Sequence, residues 1–233
     1  MTGEPAGLDV AGVDDQGRSV FCEPLGHGED PRSLAFELGY LVVTPLDAKR
    51  DPQGRLTLTF RVRPSAGQRR PERPGPARDP GLQDDSTPVE VRQRVAAYAL
   101  VTSELGLLAT EFSDRTGAPG RWGLPGGGVE EHEQPGDAVL REVAEETRQV
   151  VTLGDLSDVQ SSHWIGRSPR GAVEDFHAVR LIYTASCPAP TVPEVVDIGG
   201  TTESARWVPL EQWDTLAWTA GWRQILAERL SRS

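Results

Sequence analysis

Polar and apolar residues alternate cleanly along Arg55–Arg63, where Leu56, Leu58, Phe60 and Val62 share one face. A period of two predicts a strand. Leu38–Thr44 predicts another, and Asp51-Pro52-Gln53-Gly54 between them predicts a turn. A lone hairpin is marginal in water. These strands therefore pack on the main domain or on a second subunit, and a homodimer is one arrangement the sequence allows. Further along, Val95–Thr102 reads as a buried strand with Leu105–Thr110 as its partner, Val173–Ala185 as a long strand and Ala205–Pro209 as a short one. Helical spacing appears twice. Leu140, Val143 and Ala144 repeat behind Pro135, a residue suited to a first helical turn, and Trp222–Leu230 forms a terminal amphipathic helix after a helical turn beginning at Leu210. Strands with helices on both sides predict an α/β fold.

Between the hairpin and the later strands, Pro64–Pro88 is rich in Pro, Gly, Arg and Asp and poor in large apolar residues. It reads as a linker or long loop whose arginines (Arg69, Arg70, Arg73, Arg78) are solvated. The expected division is an N-terminal β-rich extension over 1–63, a linker over 64–93 and a main domain over 94–233. Composition narrows the function. A net charge of -11 argues against binding nucleic acid, which needs a basic surface. It leaves room for an anionic small substrate, because a bound cation reverses the local field. The two cysteines, Cys22 and Cys187, form neither a disulfide framework nor a zinc spacing, and read as free thiols in a reducing compartment. No apolar run approaches membrane-spanning length, and Met1–Pro5 lacks a signal-peptide core, so the expectation is a cytoplasmic protein without a membrane partner.

The strongest chemical signal is a run of acids behind a glycine turn. Gly126-Gly127-Gly128 lets backbone approach a ligand closely. Glu142, Glu145 and Glu146 follow on the helix begun at Pro135. At 100° per residue, Glu145 lies about 60° to one side of Glu142 and Glu146 about 40° to the other, so the three share one face. They crowd the C-terminal half of the helix, where the dipole disfavours anions, and like charges so spaced repel by roughly 0.2–0.5 kcal/mol per pair. A cation relieves both, and oxygen-only ligands suit Mg2+ or Mn2+. Arg141 can pair with Glu133 or a neighbour and hold the carboxylates in place.

This segment resembles the signature of the Nudix hydrolases: Gly127, Glu133 after five residues, Arg141-Glu142 after seven more, an aliphatic Val143 and the pair Glu145-Glu146. Trp122–Gly126 resembles its lead-in, and weaker resemblance runs from about Val95 onward. Two positions depart from the pattern. Arg148 stands where the family has a helix-ending Gly, and Gln149 where it has an aliphatic residue. Either Arg148 adopts the left-handed conformation at about 1 kcal/mol, or the helix runs on. The resemblance implies an α/β/α sandwich around a mixed sheet, and metal-dependent cleavage of a phosphoanhydride in a nucleoside diphosphate linked to another group. It implies Glu142 and Glu146 as principal metal ligands, with the Gly127 carbonyl as a backbone ligand. Glu145 is a further ligand or the general base, and Arg141 and Glu133 are orienting residues. A further carboxylate often comes from outside the helix; Glu203 is the first candidate, with Glu174 and Asp175 behind it.

Other residues carry weaker signals. Trp122 and Trp164 suit base stacking or burial, and His163 and His177 read as ordinary strand or loop histidines. Arg167 and Arg170 read as loop residues within reach of phosphate. The secondary signatures of ADP-ribose, dinucleoside polyphosphate and NADH hydrolases are absent, Trp164, Ile165 and Arg167 occupying the first two sets of positions. The alternative is a non-catalytic nucleotide sensor, although such proteins often lose the glutamates retained here.

Overall fold

Alternating apolar residues build strands through most of the chain. In the computed structural model, residues 7–69, 75–82, 89–168, 171–196 and 200–230 are described. The strands are β1 (Leu8–Val13), β2 (Ser19–Pro24), β3 (Tyr40–Arg50), β4 (Leu56–Pro64), β5 (Ala77–Arg78), β6 (Glu90–Ser103), β7 (Gly106–Phe112), β8 (Trp122–Gly123), β9 (Gly126–Gly128), β10 (Thr152–Arg167), β11 (Val173–Ser186) and β12 (Thr202–Val208). The helices are α1 (Pro31–Glu37), α2 (Pro135–Thr147) and α3 (Ala220–Leu230), with a 3-10 segment at Leu210–Thr215. This is the expected α/β class, with parallel and antiparallel pairs mixed. Among the described residues no helix is long and apolar enough to cross a membrane.

The chain divides into two units: residues 1–96, 128–135 and 155–182, and residues 97–127, 136–154 and 183–233. In the first, a four-stranded sheet has the order β2-β1-β4-β3, with β1 parallel to β4 and antiparallel to β2. Leu56, Leu58, Phe60 and Val62 of β4 are all buried, as their alternation predicts, with Leu8 and Val10 of β1. The expected hairpin is real. β3 and β4 pair antiparallel across the Asp51–Gly54 turn, and β3 is a sheet-edge strand with irregularities on either side of Thr44-Pro45, which is where a strand tolerates proline. Asp30 caps α1 by accepting from the Arg32 and Ser33 amides, and Pro31 opens the helix. Part of the expected linker is ordered: β5 pairs in parallel with β10 at Trp164 and Ile165. Such pairing uses backbone alone, so the scarcity of apolar side chains gave no sign of it. Arg70 and Arg73 lie outside the described residues.

In the second unit, β7 lies between β12 and β6, antiparallel to both, and β8 pairs with β7. Leu107, Leu108, Ala109, Leu124 and Val143 are fully buried. Trp222, Ile225 and Leu226 form the buried face of α3, and Trp222 meets Tyr98 edge-on at 4.8 Å. The buried stripe of α2 differs from expectation. Leu140 and Ala144 are exposed, whereas Ala138, Val139, Val143, Glu146 and Thr147 are buried. The stripe is rotated because Glu146 itself points inward.

Candidate active site

The site is built by one tight turn against one helix. A Cβ on Gly127 would lie 2.5 Å from Glu142 Oε1, so only glycine lets this backbone rest against the carboxylate. Gly126 has φ 142°, and a Cβ there would lie 2.3 Å from the Ala97 carbonyl oxygen. Its amide donates to Glu146 Oε2 at 2.9 Å, and the Thr202 hydroxyl donates to Glu146 Oε1. Glu146 is only 7% exposed. Burial pushes its carboxyl up to about 7; these two hydrogen bonds oppose the rise, and Glu142 and Glu145 add to it. Arg141 bridges the other two acids, donating to Glu142 Oε1 at 2.9 Å and to Glu145 Oε2 at 3.4 Å.

The chemistry of these donors fits a hard divalent cation. They are carboxylate oxygens beside a closely packed glycine backbone, one of them on a buried acid held by two neutral donors. Glu142, Glu146 and Gly127 are the residues that could hold it. Glu133 accepts from the Glu130 amide at 2.9 Å. Glu203 is exposed on β12 at a strand irregularity, and the residue of β12 that reaches the acidic cluster is its neighbour Thr202. Thr202 escaped the sequence reading because a threonine at a strand start carries no chemical signal.

The remaining candidates scatter. Trp122 is buried, and its ring is covered by the Arg206 guanidinium at 4.5 Å; Trp164 packs beside Phe176. Arg167 donates to the Gly171 carbonyl, and Arg170 lies outside the described residues. Glu174 lies 3.8 Å from Arg92. Asp175, a runner-up for the outside carboxylate, comes together with His163 and His177, read as ordinary histidines, and with His27, which carried no sequence signal. Burial raises the Asp175 carboxyl, but hydrogen bonds from His27 and His163 outweigh it and hold the group below the usual carboxylate range.

A family model, the NUDIX domain, matches residues 92–228, more than half of the chain. The chain belongs to the NUDIX family. Over 68 residues it is 37% identical to the nucleoside triphosphatase NudI of Salmonella schwarzengrund (strain CVM19633), covering 29% of this chain and 48% of that protein. The chain thus spans about half the length of the curated relatives it matches. Two similar solved structures are the NUDIX domain of Shewanella oneidensis NrtR complexed with ADP ribose (22% identity, 60% of this chain, 88% of that chain, TM-score 0.47) and the E. coli dihydroneopterin triphosphate pyrophosphohydrolase (18% identity, 63% and 100%, TM-score 0.47).

The two departures from the NUDIX signature have a structural account. Arg148 takes the left-handed conformation, φ 55°, and ends α2 where a glycine would; its amide donates to the Ala144 carbonyl at 2.9 Å and its guanidinium pairs with Glu194 at 2.5 Å. Of the two alternatives, the helix stops. Gln149 is buried, and its amide group is satisfied. Its nitrogen donates to the Thr147 carbonyl and to Thr191 Oγ1, and its oxygen accepts from the Thr191 amide at 2.9 Å. The Glu194 and Val196 amides donate to the Thr147 and Glu145 carbonyls, so the chain 191–196 covers the open end of α2.

Proposed function

We propose that this NUDIX protein is a hydrolase that uses Mg2+, or Mn2+, to cleave a phosphoanhydride bond in a nucleoside diphosphate linked to another moiety, with nucleoside triphosphates the first substrates to try. The observation that carries the reading is Glu146, buried and fixed by the Gly126 amide and the Thr202 hydroxyl beside a Glu142 carboxylate that touches Gly127. The triphosphate preference is supported by the name of the partial relative NudI.

When bound, the divalent ion neutralises phosphate charge and makes a water more acidic. Glu142 and Glu146 would hold it, with the Gly127 carbonyl as a third donor. Glu146, whose carboxyl burial pushes up to about 7, would hold it as the carboxylate. Glu145, half-buried at the outer edge of the cluster, takes a proton from the attacking water or adds a ligand; Arg141 fixes Glu142 and Glu145 relative to each other. Glu133 keeps the glycine turn in place through the Glu130 amide.

The test is phosphate and pyrophosphate release from a panel of nucleoside triphosphates and other nucleoside diphosphate derivatives, with Mg2+ or Mn2+ and with Glu146→Gln alongside. Metal-dependent turnover of a few compounds, lowered at least about 100-fold in Glu146→Gln at saturating metal, is the expected result. Near-normal turnover in that variant removes Glu146 from the site. Tight nucleotide binding with no turnover replaces the hydrolase with a sensor.

A further inference from the structure

Three of the four histidines and one aspartate of the first unit converge far from the acidic helix in sequence. His27 lies in the turn between β2 and α1, His163 on β10, and Asp175 and His177 on β11. His27 Nε2 lies 2.7 Å and His163 Nε2 2.5 Å from the same oxygen, Asp175 Oδ1. The three ligand atoms all lie within 4.8 Å of one another, the one such group found among the described residues. All three side chains are between a fifth and a third exposed, open enough for an ion to enter.

The surroundings fix these donors. Gly28 passes His163 so closely that a Cβ would lie 2.5 Å from its Nδ1, and φ at Gly28 is 70°. The Glu29 carbonyl accepts from Ser161 Oγ at 3.3 Å, and Ser161 Oγ is also bonded to Nε2 of the buried His177 at 2.8 Å. The His177 ring meets the His27 ring edge-on at 5.7 Å. Arg32, just beyond, reaches Asp158 and the Val159 carbonyl on β10. The His27 turn is therefore tied to β10 at Asp158, Val159 and Ser161, just before His163, which holds the donors near one another.

We propose that His27, His163 and Asp175 bind a transition-metal ion of the Zn2+ class, using none of the acidic residues of α2. The donors decide the metal. Imidazole suits borderline ions such as Zn2+, Co2+ and Ni2+, whereas Mg2+ prefers oxygen alone. A tetrahedral ion with bonds of about 2.0–2.2 Å holds its ligand atoms about 3.3–3.5 Å apart. To admit it, each imidazole–carboxylate separation opens by less than about 1 Å and the two imidazole nitrogens, within 4.8 Å of each other, close by up to about 1.5 Å. Three protein donors leave one tetrahedral position for water or an exchangeable ligand, the arrangement of reactive rather than purely structural zinc sites. Bound there, the ion ties the His27 turn to β10 and β11.

The experiment uses the full chain, stripped of metal and then saturated with Mg2+ to occupy oxygen sites. Zn2+ is titrated by calorimetry, and Co2+ by its visible absorption. One Zn2+ per chain, a tetrahedral Co2+ spectrum and a raised thermal midpoint are expected. His27→Gln, His163→Gln and Asp175→Asn, each checked for native circular dichroism, should weaken Zn2+ binding at least about 100-fold, beyond the loss typical of supporting residues. Glu146→Gln should leave it unchanged. His27→Gln lies in a turn and carries the test if a strand variant fails to fold. Absence of Zn2+ binding by the native chain overturns the proposal. So does binding that survives all three substitutions, or that is lost in Glu146→Gln instead.

Discussion

Arg148 holds a conformation that costs an L-residue about 1–2 kcal/mol. Its exposed pair with Glu194 returns no more than about 1 kcal/mol. Arg148→Gly should therefore keep or raise the thermal midpoint, by at most a few degrees, since about 1 kcal/mol corresponds to about 2–4 °C in a chain of this size. It should leave turnover unchanged. A fall of more than about 4 °C would show that the Glu194 pair holds segment 191–196 in place. At this scale much of the candidate site was legible. Gly127, Arg141, Glu142, Glu145 and Glu146 lie within twenty residues, and spacing alone put the acids on one face. Thr202 and His27 were not readable, because each acts through a contact with no local trace. His27 meets Asp175 across 148 residues.

The end of α2 replaces an aliphatic contact with hydrogen bonds. Gln149→Leu would restore the usual residue type but remove the acceptor of the Thr191 amide and one donor to the buried Thr147 carbonyl, which keeps the Glu194 amide. Loss of a hydrogen bond whose partners stay otherwise satisfied costs about 0.5–1.5 kcal/mol. Denaturant unfolding of Gln149→Leu should show a loss of that size with an unchanged m-value; equal or greater stability would mean that segment 191–196 repacks freely. The elements themselves were unevenly legible. β4 announced itself through strict alternation, whereas β10 did not, because Gly154, Asp155, Ser157 and Asp158 interrupt the pattern. α1 carried a start signal in Asp30-Pro31 but is only seven residues long, too short for periodicity to register. The helix face was misjudged at Leu140 and Ala144 since hydrophobicity cannot foresee that a glutamate will be the residue turned inward.

For the whole molecule, the buried acid couples stability to pH. Glu146 has an ordinary value of 4.5 and is raised to about 7 in the folded chain. Between these values the native state binds the extra proton, so stability is full below about pH 4.5 and declines as pH rises through 7, by a total on the order of 3 kcal/mol. Metal-free protein should melt lower at pH 8 than at pH 5.5. Glu146→Gln should flatten that difference, and added Mg2+ should reduce it in the native chain. A pH dependence identical in Glu146→Gln would show that other groups carry it. The first unit has a different consequence, for synthesis on the ribosome. Its four-stranded sheet is complete once residue 64 has emerged, but the strands that receive Arg32 and His27 end at residues 167 and 186. At translation rates of about 5–20 residues per second, the early sheet waits roughly 6–24 s for them. During that interval the His27 turn and the face beside Arg32 are open to chaperones, and a pause in translation between these two points would lengthen their exposure.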